Sequence, residues 1–512
     1  MKSKKMLIGY HTNSRRGFNG DPDFDMPAKK GRGVDFILCH FDPAGAALKE
    51  ECEKAIKTAE KIKQLGVEFI ANFEEQNFNY DCKSSDGCEW ATHEGGVHRL
   101  EVPEVFLKAL SSAGNFLGVM YDEFEHVIIN RNLSLKLDKK VKDYVHVFAP
   151  ARSADIFEQG RLLDSQLSEY ASGLLEKGAK TLSGEHVFPV LFHRFAKVGI
   201  IPNFKSQKES FSNVQFAVAA GAALQYGTEL WNCVDLWYRL TFPGHSPREL
   251  FKNLEFAFLT GVNRVYVEAS TAFFDDKNGE KVYNAHGEAF TRFANEYKGK
   301  ERDYDISDYR PEVGIVRYDD GFWGQGRPSF PWRNMLLGNP RIKADSYARE
   351  WIRAINLVTH GETGNGGISW DKIELNSLRK HRSFASMNSL AVFDDEVKKE
   401  TLEPLKLCIL CGRFISPETL EAVRSLVREN GLTVVAPKRY LPAELYSGGI
   451  FTKKIPDGSG AWIRAFDFRS PVLRLYVKDY IGKKGEMSYR FGGKTVRMKI
   501  DRDGEGFKVI SD

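Results

Sequence analysis

At 512 residues the chain is too long for one ordinary core and predicts two or three domains. Hydrophobic residues make up 42% and charged residues 28%, a globular balance that excludes a disordered chain. A net charge of +4 with no Lys/Arg stripe interleaved with aromatics gives no nucleic-acid partner, and no apolar run is long enough to span a bilayer.

The N-terminus passes from Met1-Lys2-Ser3-Lys4-Lys5 straight into an apolar strand with no leader-like apolar segment. The expectation as written is a cytoplasmic protein, or a secreted or periplasmic one if a leader has been removed. Seven cysteines, an odd number, do not suggest a disulfide framework. Cys408 and Cys411 have CxxC spacing but sit in the apolar run Leu407 to Cys411 and read as core thiols, with no second pair to complete a zinc site.

Along the chain, strand and helix alternate as in a parallel sheet. Leu7 to His11 forms a first strand. Val34 to His40 is a second, followed by a helix from about Ala46 to Leu65, with Ala55, Ala59 and Ile62 on one face. Val67 to Asn72 is a third strand, running on to Glu74. Phe116 to Met120 is a fourth, stopping abruptly in Tyr121-Asp122-Glu123, with His126 close behind. Residues 154–197 read as a long interrupted helical region. Further strands follow near Ile201, ending in Lys205, and near Leu230, ending in Asp235 and Trp237. The next lies at Arg264 to Val267 and ends in Glu268, and another at Val313 to Arg317 runs into Asp320 and Trp323. Counted so, eight strands give a (β/α)8 TIM barrel over residues 1–325, with Glu123 on the fourth strand and Glu268 on the seventh. The Val313 strand could instead open the next domain, which would leave this barrel a strand short. Residues 326–445 read as a small Rossmann-like α/β domain without a phosphate loop, and 446–512 as a small antiparallel β module resembling a sandwich.

In such a barrel the chemistry sits where strands end at the C-terminal face. Glu123 and Glu268 each close an apolar strand, and paired carboxylates across a barrel mouth are what glycoside cleavage needs. Carboxylates at the ends of a fourth and a seventh strand resemble clan A glycoside hydrolases, the 4/7 retaining superfamily. The order barrel, Rossmann-like domain, β domain resembles the family-42 β-galactosidases, whose middle domain is a degenerate amidotransferase-like fold used in oligomer contacts. The resemblance implies a retaining glycosidase with Glu268 as nucleophile and Glu123 as acid/base. It further implies a carbohydrate substrate, no metal or organic cofactor, and a homo-oligomer such as a trimer. Where the clan has Asn before the acid/base this chain has Asp122, which leaves open whether Glu123 or Asp122 is the acid.

The carboxylates beside Glu123, Asp122 and Glu125, are expected to keep its proton on. Ala269, Ser270 and Thr271 are expected to keep Glu268 charged. The other residues expected at strand ends are His11, His40, Asn72, Glu74, Tyr121, His126, Lys205, Asp235, Trp237, Arg317, Asp320 and Trp323. The two tryptophans would stack on sugar rings and the rest would bind hydroxyls. Two alternatives stand beside this reading: an inverting hydrolase using Glu229 or Asp235, and a non-catalytic carbohydrate-binding barrel. An amidotransferase site in the middle domain is excluded, because Leu410-Cys411-Gly412-Arg413 is not a nucleophile elbow.

Overall fold

The computed structural model describes residues 4–12, 27, 33–41, 48–74, 92–93, 97–98, 102–129, 154–206, 210–236, 245–268, 270–324, 335–364, 382–445 and 451–510. Eight parallel strands close into a barrel in chain order: β1 (Leu7–His11), β2 (Phe36–His40), β3 (Glu68–Asn72), β4 (Phe116–Tyr121), β5 (Leu182–His186), β6 (Ile201–Ser206), β7 (Trp231–Asp235) and β8 (Arg264–Glu268). This is the expected TIM barrel, with a corrected strand count. The fifth strand is Leu182–His186, inside the stretch expected to be helical. That stretch is a helix, α1 (Ile156–Glu176), the strand β5, and a short helix, α2 (Phe192–Lys197). Asp155 caps α1 by accepting from the amides of Phe157 and Glu158 at 2.7 and 3.1 Å. Glu268 therefore ends the eighth strand, and the carboxylate ending the seventh is Asp235.

Alternation along the strands separates two apolar layers. Phe36, Leu38, Ile70, Met120, Trp231, Cys233 and Tyr266 fill the barrel interior. Their sequence neighbours, among them Ile37, Phe69, Val119, Tyr121 and Val265, face the helices. In β4, Gly118 has φ 153°, and a Cβ there would come within 2.4 Å of the Thr181 carbonyl. Only glycine lets β4 approach the segment leading into β5 so closely.

Val313–Val316, expected as the last barrel strand, is instead the first strand of the second sheet, β9. It pairs on both sides, with β10 (Leu390–Phe393) and β11 (Leu407–Leu410). The sheet continues through β12 (Thr433–Ala436) to β14 (Gly460–Arg464) and is closed by β13 (Lys453–Asp457), the one strand running antiparallel. It thus takes strands from outside the 326–445 window on both sides. Cys408 and Cys411 are buried free thiols, as expected.

Helix α3 (Ser212–Tyr226) ties the two sheets together. Its residues from Ser212 to Ala223 are all buried, and Gly221 lies so close to the Val392 carbonyl of β10 that no Cβ would fit. The last unit is one four-stranded sheet rather than a sandwich. Met387–Asn388 pairs with β15 (Glu486–Phe491), followed by β16 (Lys494–Ile500) and β17 (Phe507–Ile510). Pro471–Val477, which lies in the strand-rich C-terminal stretch of the sequence, is a helix, with Pro471 in its first turn where a missing N–H costs nothing. No helix among the described residues is long and apolar enough to cross a membrane.

Candidate active site

Each of the eight strands, within its length or within two residues of its end, carries a charged or imidazole side chain at the C-terminal mouth, and Lys205 of β6 is their centre. Its side chain is 1% exposed, and its Nζ lies 2.8 Å from Glu185 of β5 and 2.8 Å from Glu268 of β8. Asp122 is at 3.2 Å, Asp235 at 3.6 Å and Glu123 at 3.7 Å. One ammonium therefore answers five carboxylates. Burial works against the charge on Lys205, but the surrounding carboxylates, Asp122 foremost, hold its pKa well above the ordinary 10.5. It is a fixed cation and not an amine nucleophile.

The carboxylates divide by environment. Burial also opposes the charge on Asp122, yet Lys205 and a hydrogen bond from Glu185 hold its pKa well below the carboxylate range. Burial, and next the Asp122 charge, push Glu185 well above that range. Tyr266 of β8 donates to Glu185 and in turn accepts from Asn203 at 2.8 Å. Glu268 is raised as well, first by burial and then by its strand neighbour Asp235, with Lys205 opposing. Its Oε2 accepts from Lys205 at 2.8 Å and from the Cys233 thiol at 3.6 Å, while its Oε1 has no protein partner among the described residues. The side chain keeps 13% of its surface open.

Glu123 faces this group from the opposite side of the mouth, four strands away. Its side chain is 34% exposed, the most open of the five, and its backbone has φ 50°. Left-handed backbone is uncommon outside glycine and is stored preferentially at functional sites. On the β1–β3 side, His11 and His40 stack with ring centroids 4.3 Å apart. His11 Nε2 lies 3.1 Å from Asn72 Nδ2, and burial lowers its pKa to about 4, so it is neutral. Asn72 Oδ1 accepts from the amide of Glu74 at 2.9 Å. Glu74 lies 3.6 Å from His40, and burial, with Asp122 next, raises its pKa well above 4.5.

Seven of the expected residues thus share one pocket with Glu123 and Glu268 or line its wall: His11, His40, Asn72, Glu74, Asp122, Lys205 and Asp235. Strand alternation turns Tyr121 outward, where it stacks on Phe124 at 4.5 Å in the helix-facing core. Arg317 and Asp320 belong to the other sheet. Arg317 lies over Trp351 and pairs with Asp319 at 3.1 Å, and Asp320 accepts from the Phe322 amide. Trp323 is buried and stacked on Phe188 at 3.8 Å, so one ring face is already covered. Trp237 and Ala269 lie outside the described residues, as does the side chain of His126. Glu125 is turned away from Glu123 and braces the amides of Val187 and Phe188. The partner of Glu268 is Lys205 rather than the Ser270-Thr271 segment.

Glu185, Cys233 and Tyr266 are site residues that sequence reasoning missed. Each stands inside a strand rather than at its end. Their signal is a polar residue, or an odd aromatic, at the inward-facing register of a barrel strand. Donor atoms of His11, Asp122 and Glu268 lie within 4.8 Å of one another, as do those of Glu185, Cys233 and Glu268. Lys205 Nζ already sits within hydrogen-bonding reach of Asp122, Glu185 and Glu268, where a metal ion would have to stand. The donor sets therefore fit an internal ammonium better than a divalent ion.

No family model matches this sequence, and no curated protein matches it. Among solved structures, it is similar to a β-galactosidase from the psychrophilic Marinomonas ef1. The TM-score is 0.57 at 10% identity, covering 96% of this chain and 95% of that one. An exo-carrageenase of family GH42 from Bacteroides ovatus aligns over 94% of this chain and 69% of its own, with 11% identity and a TM-score of 0.41. The chain thus shares the fold of that β-galactosidase over almost its whole length, which is the fold the clan A resemblance implies.

Proposed function

We propose that the protein is a glycoside hydrolase acting by retaining double displacement, with Glu123 as acid/base and Glu268 as nucleophile. The carrying observation is the anchoring of Glu268. Lys205 and Cys233 hold Oε2, while Oε1 is left without a protein partner among the described residues, the arrangement of a carboxylate poised to attack. Glu123 reaches the same ammonium from the opposite strand, so both carboxylates address one pocket. A separation of about 5–5.5 Å between the two carboxyl groups is the retaining geometry.

In this reading Glu123 protonates the leaving oxygen while Glu268 Oε1 bonds to the anomeric carbon. Water, deprotonated by Glu123, then releases the sugar with its configuration retained. Lys205 offsets the charge on Glu268 before attack, and Asp122 and the neutral His11 are placed to hold sugar hydroxyls. A panel of activated aryl glycosides, with azide added to the alanine variants, tests the roles. Glu268→Ala should regain turnover as the inverted glycosyl azide, and Glu123→Ala as the retained one. Near-full activity of Glu268→Ala without azide contradicts the assignment.

A second reading is favoured by the strand count. Asp235 ends the seventh strand, 3.6 Å from Lys205, where the clan places its nucleophile. In that case azide rescue would follow Asp235→Ala instead.

A further inference from the structure

A second cavity, sharing no residue with the barrel mouth, lies between α1, α2 and the C-terminal ends of β9, β10 and β11. Its volume is about 250 Å³. Strand order in this sheet reverses around β9, and open α/β sheets bind ligands beyond the carboxyl ends of the strands at that reversal.

Most charges in its wall are committed to each other. Arg194 pairs with Asp164 at 2.7 Å and donates to the Asp319 carbonyl. Lys197 pairs with Glu396 at 2.6 Å. Asp394 accepts from Gln225 and from the Tyr226 hydroxyl. Two groups are left over. Asp395 is 8% exposed, and beyond its own backbone amide its carboxylate has neither a hydrogen-bond donor nor an ion-pair partner among the described residues. Arg161, on the exposed face of α1, likewise has no pair among them. A buried unpaired carboxylate is costly unless something answers it. Burial, and then the neighbouring Asp394 and Glu396 charges against a weaker pull from Arg194, raise the Asp395 pKa to about 7.

The remaining wall is aromatic: Phe157 stands edge-on to Tyr318 and to Phe414, at 5.2 and 5.5 Å. No amide or aliphatic hydroxyl side chain among the described residues lines the cavity. A neutral polyhydroxy ligand would find few donors there. An ammonium group would find both an anion and aromatic walls. The volume lies below the roughly 300–1,000 Å³ of drug-sized sites, so the occupant is small.

We propose that this cavity is a binding site for a small ligand bearing an ammonium group, of amino-acid size, which Asp395 pairs with and whose carboxylate, where present, Arg161 meets. The site is independent of the barrel chemistry.

Isothermal titration of the full chain with free amino acids, putrescine and galactose tests it. An amino acid or the diamine should bind one to one at millimolar concentration or below. Asp395→Asn should weaken that binding at least about tenfold, the loss of one ion pair worth roughly 1.4 kcal/mol. Phe414→Ala, a change at an exposed ring, should also weaken it. Arg161→Ala should weaken the amino acid but not the diamine. Glu268→Gln should leave binding unchanged. Near pH 7 binding should release part of a proton, read from buffers of different ionisation enthalpy, and Asp395→Asn should abolish that release. The proposal is overturned if no amine on the panel binds, if binding survives Asp395→Asn and Phe414→Ala, or if galactose binds in place of the amines.

Discussion

Replacing Lys205 by Met removes the one cation that five carboxylates share. The nearest pairs are 2.8 Å long, and at an effective dielectric of about 20 each is worth roughly 6 kcal/mol of attraction. Proton uptake by Glu185 and Glu268 relieves much of that, since each tenfold gain in proton affinity is worth about 1.4 kcal/mol. The net cost expected is therefore about 3–5 kcal/mol at neutral pH, the usual penalty for breaking a buried pair from one side. The sign follows from linkage. The folded pKa of Lys205 is raised above 10.5, so its contribution is complete below that pH and is lost only as pH rises beyond it. In the variant the orphaned carboxylates have folded pKa values above their unfolded ones. That penalty is absent near pH 4 and grows as pH climbs. Urea midpoints of both proteins, followed by tryptophan fluorescence at about pH 4.5 and about pH 7.5, should show a gap that widens at the higher pH. A gap that is independent of pH, or a variant as stable as wild type at neutral pH, would refute this account of the cluster.

Three further outcomes are expected. Glu268 must be ionised to attack, and Asp235 is the neighbouring charge that most raises its pKa. The acidic limb of kcat/KM should therefore lie above the usual carboxylate range, and Asp235→Asn should move it to lower pH with activity retained. Abolished turnover in Asp235→Asn would support the second reading. Exhaustive chelation should leave activity undiminished, because Lys205 supplies the cation; activity restored only by a divalent ion would count against this. Self-association, which the family-42 resemblance implies, should appear in sedimentation as a species larger than monomer. Val472 and Leu475 share an exposed helix face at 45% and 67% exposure, and Leu475→Glu should shift the distribution towards monomer if that face is the contact.

The barrel was legible because most of its strands are short apolar runs that end in polar residues. Leu182–His186 was not, since Leu-Ser-Gly-Glu-His carries one aliphatic residue and no β-branched one. Its inward Glu185 and its Gly184, which packs near Phe195, Ile200 and Phe124, make sense only in a closed barrel. Val313–Val316 has the same apolar-then-acidic profile as a true barrel strand, so its assignment to the other sheet depends on pairing that a single strand does not encode. That one exchange moved Glu268 from seventh to eighth place and drew Arg317 and Asp320 wrongly towards the mouth. Glu123, Glu268, Asp235, His11 and His40 were legible as strand ends. The central place of Lys205 was not, because its role comes from five partners on four other strands or their ends.

The most direct test is to trap the glycosyl-enzyme. Activated 2-deoxy-2-fluoro glycosides, screened across sugars, slow release of the intermediate, and peptide mapping by mass spectrometry locates the ester. The account predicts a single label on Glu268, absent from Glu268→Gln. A label on Asp235, or turnover with inverted anomeric configuration and no label, would contradict it.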